Sequence, residues 1–295
     1  MSGFCGDRYS AIAPAKINLT LRVLGRRADG YHDLESVVAK VTLYDGIDLV
    51  LGDDPAIQIE CTNPAVPTDT HNTIWRAIEL LSNRAGPLPP MRVQLHKCIP
   101  LGAGLGGGSS DAAAVLMLLS RRLDGRVSDS DLAHIAAEVG SDVSCFLQPN
   151  TVHMSGRGEI VRPVELPWRG WAVLVFPPFG VSTSAVYAAW QANGSAPDRD
   201  AEICLKDTCN TAEKLDEVLF NDLENSVFAV EPRMRHAREH VEDFAQQRFH
   251  VTGSGSTLFA CLDSHEQAEQ LKQRIDQLSG LKSLVTRVIT SEDNK

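Results

Sequence analysis

The run Pro100-Leu101-Gly102-Ala103-Gly104-Leu105-Gly106-Gly107-Gly108-Ser109-Ser110-Asp111 constrains the fold more than any other stretch of the chain. It places five glycines in seven positions, Gly102 to Gly108, directly ahead of an Ala- and Leu-rich segment that holds no Gly or Pro from Asp111 to Arg122. So many glycines lose conformational entropy on folding, and the segment makes sense where the backbone must take positive φ angles or approach a ligand closely. The segment after it is a helix by composition, opened by the Ser109-Ser110 pair. A glycine loop leading into a helix N-terminus presents backbone N–H groups and a positive dipole end, a cradle for a polyphosphate. A flexible hinge is the alternative for the loop alone. No Gly-Lys-Ser/Thr follows, so the loop is not a Walker A. A Rossmann turn would set an acidic residue about 20 positions on, after a second strand. Here the helix leads instead to Leu123-Asp124-Gly125 and another helix.

Around this loop the hydrophobic pattern alternates between the two periods. Ile17, Leu19, Leu21 and Val23 repeat every second residue, as do Val37, Ala39, Val41 and Leu43, which predicts two half-buried strands. Asp45-Gly46 reads as a hairpin turn into a further strand at Ile47, Leu49 and Leu51. Ile74, Ala77, Ile78 and Leu81 have helical spacing behind the capping residues Asn72-Thr73. A short strand is expected over 91–95. A second capped helix runs from Ser128, paired with Asp131 in a capping box, to the stop at Gly140. Later, 171–176 reads as a strand, Ser182 to Trp190 as a helix, and the polar stretch 191–216 as a loop. Helices at 232–246 and 264–278 flank a strand–turn–strand at 249–262, and a last strand covers 284–289. Strands and helices mix without regular βαβ alternation, so the expected class is α+β, with lobes at 1–162 and 163–295.

Composition narrows the function. The 295 residues are 43% hydrophobic and 22% charged, ordinary for a globular protein rather than a disordered one. With 28 basic against 38 acidic side chains the net charge is −10, which argues against a nucleic-acid coat. No apolar run approaches the roughly 20 residues of a membrane span. The N-terminus lacks the basic start and apolar core of a secretory signal, so a cytoplasmic location is expected. The seven cysteines are scattered and odd in number, which points to reduced thiols. Cys204 and Cys209 lack a second Cys or His pair, so no metal site is expected there.

Several short motifs occur in a fixed order along the chain: Ala13-Pro14-Ala15-Lys16-Ile17-Asn18-Leu19, Arg26-Arg27-Ala28-Asp29-Gly30-Tyr31-His32, the glycine loop, Gly140-Ser141-Asp142-Val143, Gly156-Arg157-Gly158, Asn221-Asp222-Leu223-Glu224 and Thr252-Gly253-Ser254-Gly255-Ser256. Together they resemble the GHMP kinases and, within them, the 4-diphosphocytidyl-2-C-methyl-D-erythritol kinases, whose distinguishing segment is the Asp-Gly-Tyr-His run. The resemblance implies a two-lobed α+β fold, with a ribosomal-protein-like N-terminal lobe and a ferredoxin-like C-terminal lobe. It also implies ATP with Mg²⁺, and transfer of a phosphoryl group to the 2-hydroxyl of a cytidylyl-activated sugar alcohol.

The resemblance marks Asp142 and Lys16 as the catalytic pair. The chemistry suits them: a carboxylate accepts the proton of a substrate hydroxyl, and a nearby ammonium keeps it ionised and steadies the alkoxide. Alone, an Asp after Gly is a turn residue and a Lys on a strand is solvated. Residues 100 to 110 become the ATP-binding segment. Tyr31 and His32 become the cytosine site, with Tyr187 as the aromatic on the other side of the base. Asn18 and Thr183 are candidate ligands for the diphosphate or the erythritol hydroxyls, and the turn at 252–255 is expected to close over the substrate. No protein metal ligand is assigned; Ser110 or another loop hydroxyl is the candidate to contribute to Mg²⁺. Two positions depart from the family pattern, Ser144 and Ser256 standing where Pro is usual. The expected partner is a small-molecule substrate, with neither nucleic acid nor membrane, and the chain is expected as a monomer or homodimer. Another acceptor, such as mevalonate or homoserine, and a nucleotide-binding regulator without catalysis are the competing readings. The Asp-Gly-Tyr-His run speaks against the first, and the presence of Asp142 and Lys16 against the second.

Overall fold

Long alternating strands build the scaffold. The computed structural model describes residues 6–52, 57–123, 125–190 and 209–294, and the predicted α+β class holds. Two strands of 20 residues come first, β1 (Asp7–Arg26) and β2 (His32–Leu51). Strand β3 (Ile57–Cys61), helix α1 (Thr73–Ala85), strand β4 (Met91–His96) and helices α2 (Gly107–Ser120), α3 (Asp129–Val139) and α4 (Val143–Leu147) follow. Then come β5 (Thr151–Gly156), β6 (Ile160–Pro163), β7 (Trp171–Phe176), α5 (Thr183–Ala189), α6 (Ala212–Asp216), β8 (Phe220–Asn221) and α7 (Glu224–Val230). The described chain closes with α8 (Arg233–Ala245), β9 (His250–Val251), β10 (Leu258–Leu262), α9 (His265–Ile275), β11 (Lys282–Arg287) and a 3-10 turn at Ser291–Asn294.

The residues group into two compact units, and the chain passes between them several times. The first comprises the segment up to Ala15, Leu43–Pro100 and Gly106–Gln148. In it the second half of β2 pairs antiparallel with β4, Gly46 opposite His96, and β4 pairs parallel with β3. Helices α1 to α4 pack on one another. Helix α1 buries Ile74, Ala77, Ile78 and Leu81, the stripe that its sequence period predicts, and Asn72 caps it by accepting from the Ile74 amide. Helix α2 buries Ala112 to Leu116 and Leu119, apolar nearly all round because other helices cover it. The Ser128 capping box and the Gly140 stop of α3 are both in place.

The second unit comprises Lys16–Thr42, Leu101–Leu105 and Pro149 onward. Here the first half of β2 pairs antiparallel with β5, β5 turns back into β6, and β1 pairs parallel with β8. A separate four-stranded sheet has the order β11-β7-β10-β9. Helix α9 packs on β7, β10 and β11, and α8 packs on α9. Val173, Val175, Val241, Leu258, Ala268 and Leu271 belong to the core between them.

Three sequence expectations need correction. Asp45-Gly46 is not a hairpin turn: both residues lie inside β2, which runs on to Leu51. An acidic residue is tolerated there because Asp45, fully buried, accepts hydrogen bonds from the Cys98 and Ile99 amides at 2.6 and 2.8 Å. Helix α2 starts at Gly107 rather than at the serines, behind an N-cap, Gly106, at φ 70°. The stretch 191–216 is not wholly a loop: 212–216 form α6, capped by Thr211, while 191–208 lie outside the described residues. Cys204 lies outside them too. Helices α4 and α7 have no counterpart in the pattern reading, because five to seven residues are too few for a period to show.

Candidate active site

In the second unit four of the ordered motifs meet. Lys16 and Asn18 lie on β1 two residues apart and point to the same side. Lys16 Nζ donates to Asn18 Oδ1 at 2.6 Å, and both side chains are buried. The Asn18 Nδ2 donates to Ser36 Oγ at 2.8 Å, and Ser36 donates on to the Thr20 carbonyl. From the C-terminal turn, Thr252 Oγ1 accepts from the Asn18 amide at 2.9 Å. Gly253 comes closer still. A Cβ there, at φ 57°, would lie 3.1 Å from Asn18 Oδ1 and 3.4 Å from Lys16 Nζ, so only glycine brings the backbone this near the ammonium. The turn is closed by the Gly255 amide on the Thr252 carbonyl and the Thr252 amide on the Thr257 carbonyl.

Two other segments hold that turn. Asn221, on β8, donates through Nδ2 to the Val251 and Gly253 carbonyls at 2.9 and 2.8 Å and accepts the Leu223 amide. Asp222 accepts the Val23 amide of β1 at 3.0 Å. The middle of the glycine loop also belongs to this unit. The Lys16 amide donates to the Leu105 carbonyl at 3.0 Å, and the Thr257 amide to the Ala103 carbonyl at 3.2 Å. Gly104 is locked between them. A Cβ on it would stand 2.6 Å from the Thr252 carbonyl oxygen and 2.8 Å from that of Gly255. Asn221 and Thr252 were visible in the sequence as motif members, yet only the contacts assign them the work of holding Gly253 and Asn18.

Thr183 opens α5 and its hydroxyl lies 2.8 Å from the Ser254 hydroxyl, so this candidate ligand stands beside the same turn. Farther along the unit, the predicted base-binding residues come together in part. The His32 ring lies 5.2 Å from that of Tyr187, tilted by 35°, and meets the Trp190 ring edge-on at 5.6 Å. Trp190 ends α5 one turn after Tyr187, a position that the sequence pattern marks only as a helix end. Burial, aided by the charge of Arg26, holds the His32 pKa below the ordinary value, so its imidazole is neutral at pH 7. Tyr31 is half exposed, with the Arg157 guanidinium 4.9 Å above its ring. The Asp-Gly turn before it is built by Asp29, which accepts the Tyr31 amide, and by Gly30 at φ 89°.

The first unit holds Asp142 and the two ends of the glycine loop. Asp142 is half-buried and occupies the N-cap of α4 with αR backbone angles. Ahead of α2 the loop takes positive φ at Gly102, Gly104 and Gly106, as so glycine-rich a segment predicts. The Thr73 hydroxyl donates to the Gly108 carbonyl at 2.9 Å. Ser110 is buried and its Oγ has no hydrogen-bond partner among the described residues. Beneath the helix start, Lys97 Nζ bridges Asp45 and Asp111, the latter at 2.8 Å. Burial opposes the Lys97 charge, but the two carboxylates outweigh it and raise its pKa. Among the described residues no cluster of His, Cys, Asp and Glu has the arrangement of a metal cage, and no helix is long and apolar enough to cross a membrane.

Known proteins resemble this chain in sequence and fold. Residues 72–149, from the α1 cap to just past the end of α4, match the GHMP kinases N terminal domain. The chain is 35% identical over 264 residues to the 4-diphosphocytidyl-2-C-methyl-D-erythritol kinase of Shouchella clausii, covering 90% of this chain and 89% of that one. It is 36% identical over 266 residues to the enzyme of the same name from Geobacillus thermodenitrificans, with 90% and 91% covered. A crystal structure of 4-(cytidine 5'-diphospho)-2C-methyl-D-erythritol kinase matches with a TM-score of 0.79 at 30% identity, across 96% of this chain and all of that one. Identity of 35–36% over nine tenths of the chain shows that it belongs to the 4-diphosphocytidyl-2-C-methyl-D-erythritol kinase family of the GHMP kinases.

Proposed function

We propose that this chain transfers the γ-phosphate of ATP to the 2-hydroxyl of 4-diphosphocytidyl-2-C-methyl-D-erythritol, with Lys16 and Asp142 as the catalytic pair. The observation that carries the reading is the convergence of the Lys16, Asn221 and Thr252 motifs and the middle of the glycine loop around one buried ammonium.

Each residue has a task that its surroundings fit. Asp142 accepts the proton of the substrate hydroxyl as the oxygen attacks phosphorus. Lys16 steadies the developing alkoxide, its ammonium aimed by Asn18. Backbone N–H groups at the start of α2, with residues 100–110, receive the phosphates. Tyr31, His32 and Tyr187 hold the cytosine by stacking and by a hydrogen bond to its edge. Asn18 serves the substrate through Lys16, and Thr183 with Ser254 offers hydroxyls to the diphosphate.

The residues also fit Mg²⁺. The buried, unpartnered Ser110 Oγ would offer one protein oxygen at the phosphate end of α2, beside the oxygens of the bound phosphates. When bound, the ion neutralises charge on the transferring group. The reading carries with it a cytoplasmic location and a monomer or homodimer.

Measuring ADP release with the cytidylyl substrate, mevalonate and homoserine side by side tests it. Turnover confined to the cytidylyl substrate is expected. Comparable kcat/KM for either of the other two would overturn the assignment of Tyr31 and His32 as the selecting pair.

A further inference from the structure

The cluster of Lys97, Asp45 and Asp111 has no part in the reaction as described, yet it is among the most deeply buried groups of charges in the first unit. The three side chains are exposed by only 3%, 0% and 3%. Two carboxylates share one ammonium, and Asp111 Oδ1 finds no partner among the described residues. Stability alone does not account for such a group, because replacing a buried ion cluster with apolar side chains of similar volume is often neutral or stabilising.

Its connections suggest another purpose. Asp45 accepts the Cys98 and Ile99 amides, fixing the three residues that run into the glycine loop at Pro100. Lys97 begins that segment, and Asp111 lies on α2, just past the other end of the loop. Lys97 Nζ also sits against the first residue of α2. A Cβ on Gly107 would stand 3.2 Å from it and 3.0 Å from Ile99 Cγ2. The cluster therefore ties the way into the loop to the way out of it, and it does so at the turn whose N–H groups face outward from the helix end.

We propose that Lys97 is a positioning residue for the nucleotide: through Asp45 and Asp111 it clamps the two ends of the glycine loop and so sets the direction of the amides that receive the ATP phosphates. The proposal rests on the reading of that loop as the phosphate site. Lys97 touches neither substrate in it and acts only through the backbone at 98–99 and 107–111. Its loss damages ATP use and leaves the cytidylyl substrate alone.

The test uses the full chain and the double variant Lys97→Met with Asp111→Leu, which removes the ammonium together with one of its two carboxylates, while Asp45 Oδ1 keeps its two amides. A displacement of an ångström is costly for aligned groups, so the KM for ATP is expected to rise by about tenfold or more, with the KM for the cytidylyl substrate changed by less than about twofold. Amide hydrogen exchange at 106–110 is followed with and without ATP. In the wild type ATP should slow it, and in the variant that slowing should be lost. If ATP fails to slow exchange there in the wild type, the phosphate-site reading falls, whatever Lys97 does. If ATP slows exchange equally in both proteins and the ATP KM is unchanged, the positioning role is wrong while the phosphate site stands. A fall in melting temperature with parallel changes in both KM values would likewise reduce the cluster to a structural one. Should the double variant not fold, Lys97→Gln, which still reaches one carboxylate, carries the same expectation and the same refutation.

Discussion

Lys16 Nζ donates to Asn18 Oδ1 at 2.6 Å, from one side chain to the next on the same side of β1. The Asn18 amide group is committed at both ends, since its Nδ2 donates to Ser36. These contacts support the proposal that Asn18 orients the ammonium, a role that its spacing from Lys16 alone would not reveal. Asn18→Leu should lower kcat by about 10- to 100-fold while binding of ATP persists, since a misdirected catalytic group costs on that order. Steady-state kinetics beside ATP calorimetry separate the two. A change in KM alone would return Asn18 to the list of simple substrate contacts.

Asp142→Asn keeps the shape of the α4 N-cap and removes the base. Turnover should fall by about 10²–10⁴-fold, the usual worth of a positioned general base. ATP affinity, measured by calorimetry, should stay close to the wild-type value. Retention of more than about a tenth of kcat would exclude Asp142 as the base.

His32, Tyr187 and Trp190 form one aromatic group, and the proposal gives it the cytosine. Stacking on an aromatic is worth about 1–3 kcal/mol per base. Tyr187→Ala and His32→Ala should each raise the KM for the cytidylyl substrate by about ten- to a hundredfold, at 1.4 kcal/mol per decade. The ATP KM should hardly move. Equal effects on both substrates would show that the aromatic group merely supports α5.

Glycines 107 and 108 should respond oppositely. Val at position 107 must push against Ile99, whose Cγ2 would lie 3.0 Å from the new Cβ, and against Lys97. A destabilisation of about 1–3 kcal/mol is expected from the overpacking, together with weaker ATP binding. Position 108 lies within α2, and its Cβ would meet only the Thr73 hydroxyl, at 3.4 Å. Gly108→Ala should leave stability unchanged or raise it by up to about 1 kcal/mol through helix propensity. Thermal melts of the two variants decide.

Asp111 should make stability depend on pH. Burial, with Asp45 adding to it against the opposing Lys97, raises its pKa from the ordinary 3.8 to about 7. The folded chain thus holds a proton that the unfolded chain releases near pH 4. The resulting stability is complete below the unfolded value and is lost as pH rises through about 7. Urea unfolding across that interval should show a decline in the wild type and a flatter profile in Asp111→Asn. Identical slopes would mean that Asp111 is charged throughout.

Much of the local structure was legible in the residues. The Ser128–Asp131 capping box, the Gly140 stop, the stripe of α1 and the positive φ angles of the glycine loop all follow from side-chain chemistry within a few positions. The errors fell where a distant partner overrode a local preference. Asp45-Gly46 has turn chemistry, but the amides of 98 and 99 satisfy the carboxylate inside a strand. Ser109-Ser110 has capping chemistry, but the helix begins two residues earlier, at Gly107.

The candidate site divides in the same way. By itself the sequence determined which chemical groups are present and in what order: the glycine loop ahead of a helix, Lys16, Asp142 and the Tyr31-His32 pair, each recognisable because its chemistry is carried by the residue type and its immediate neighbours. Only the tertiary structure decided who holds whom. That Asn18 accepts from Lys16, that the Asn18 amide meets Thr252, that Asn221 grips the Gly253 turn, that Trp190 joins His32, and that Lys97 lies beneath Gly107 are facts about residues from 2 to 234 positions apart. Contacts across such separations depend on the pairing of strands and the packing of helices, which bring together residues whose local sequence carries no mark of the meeting.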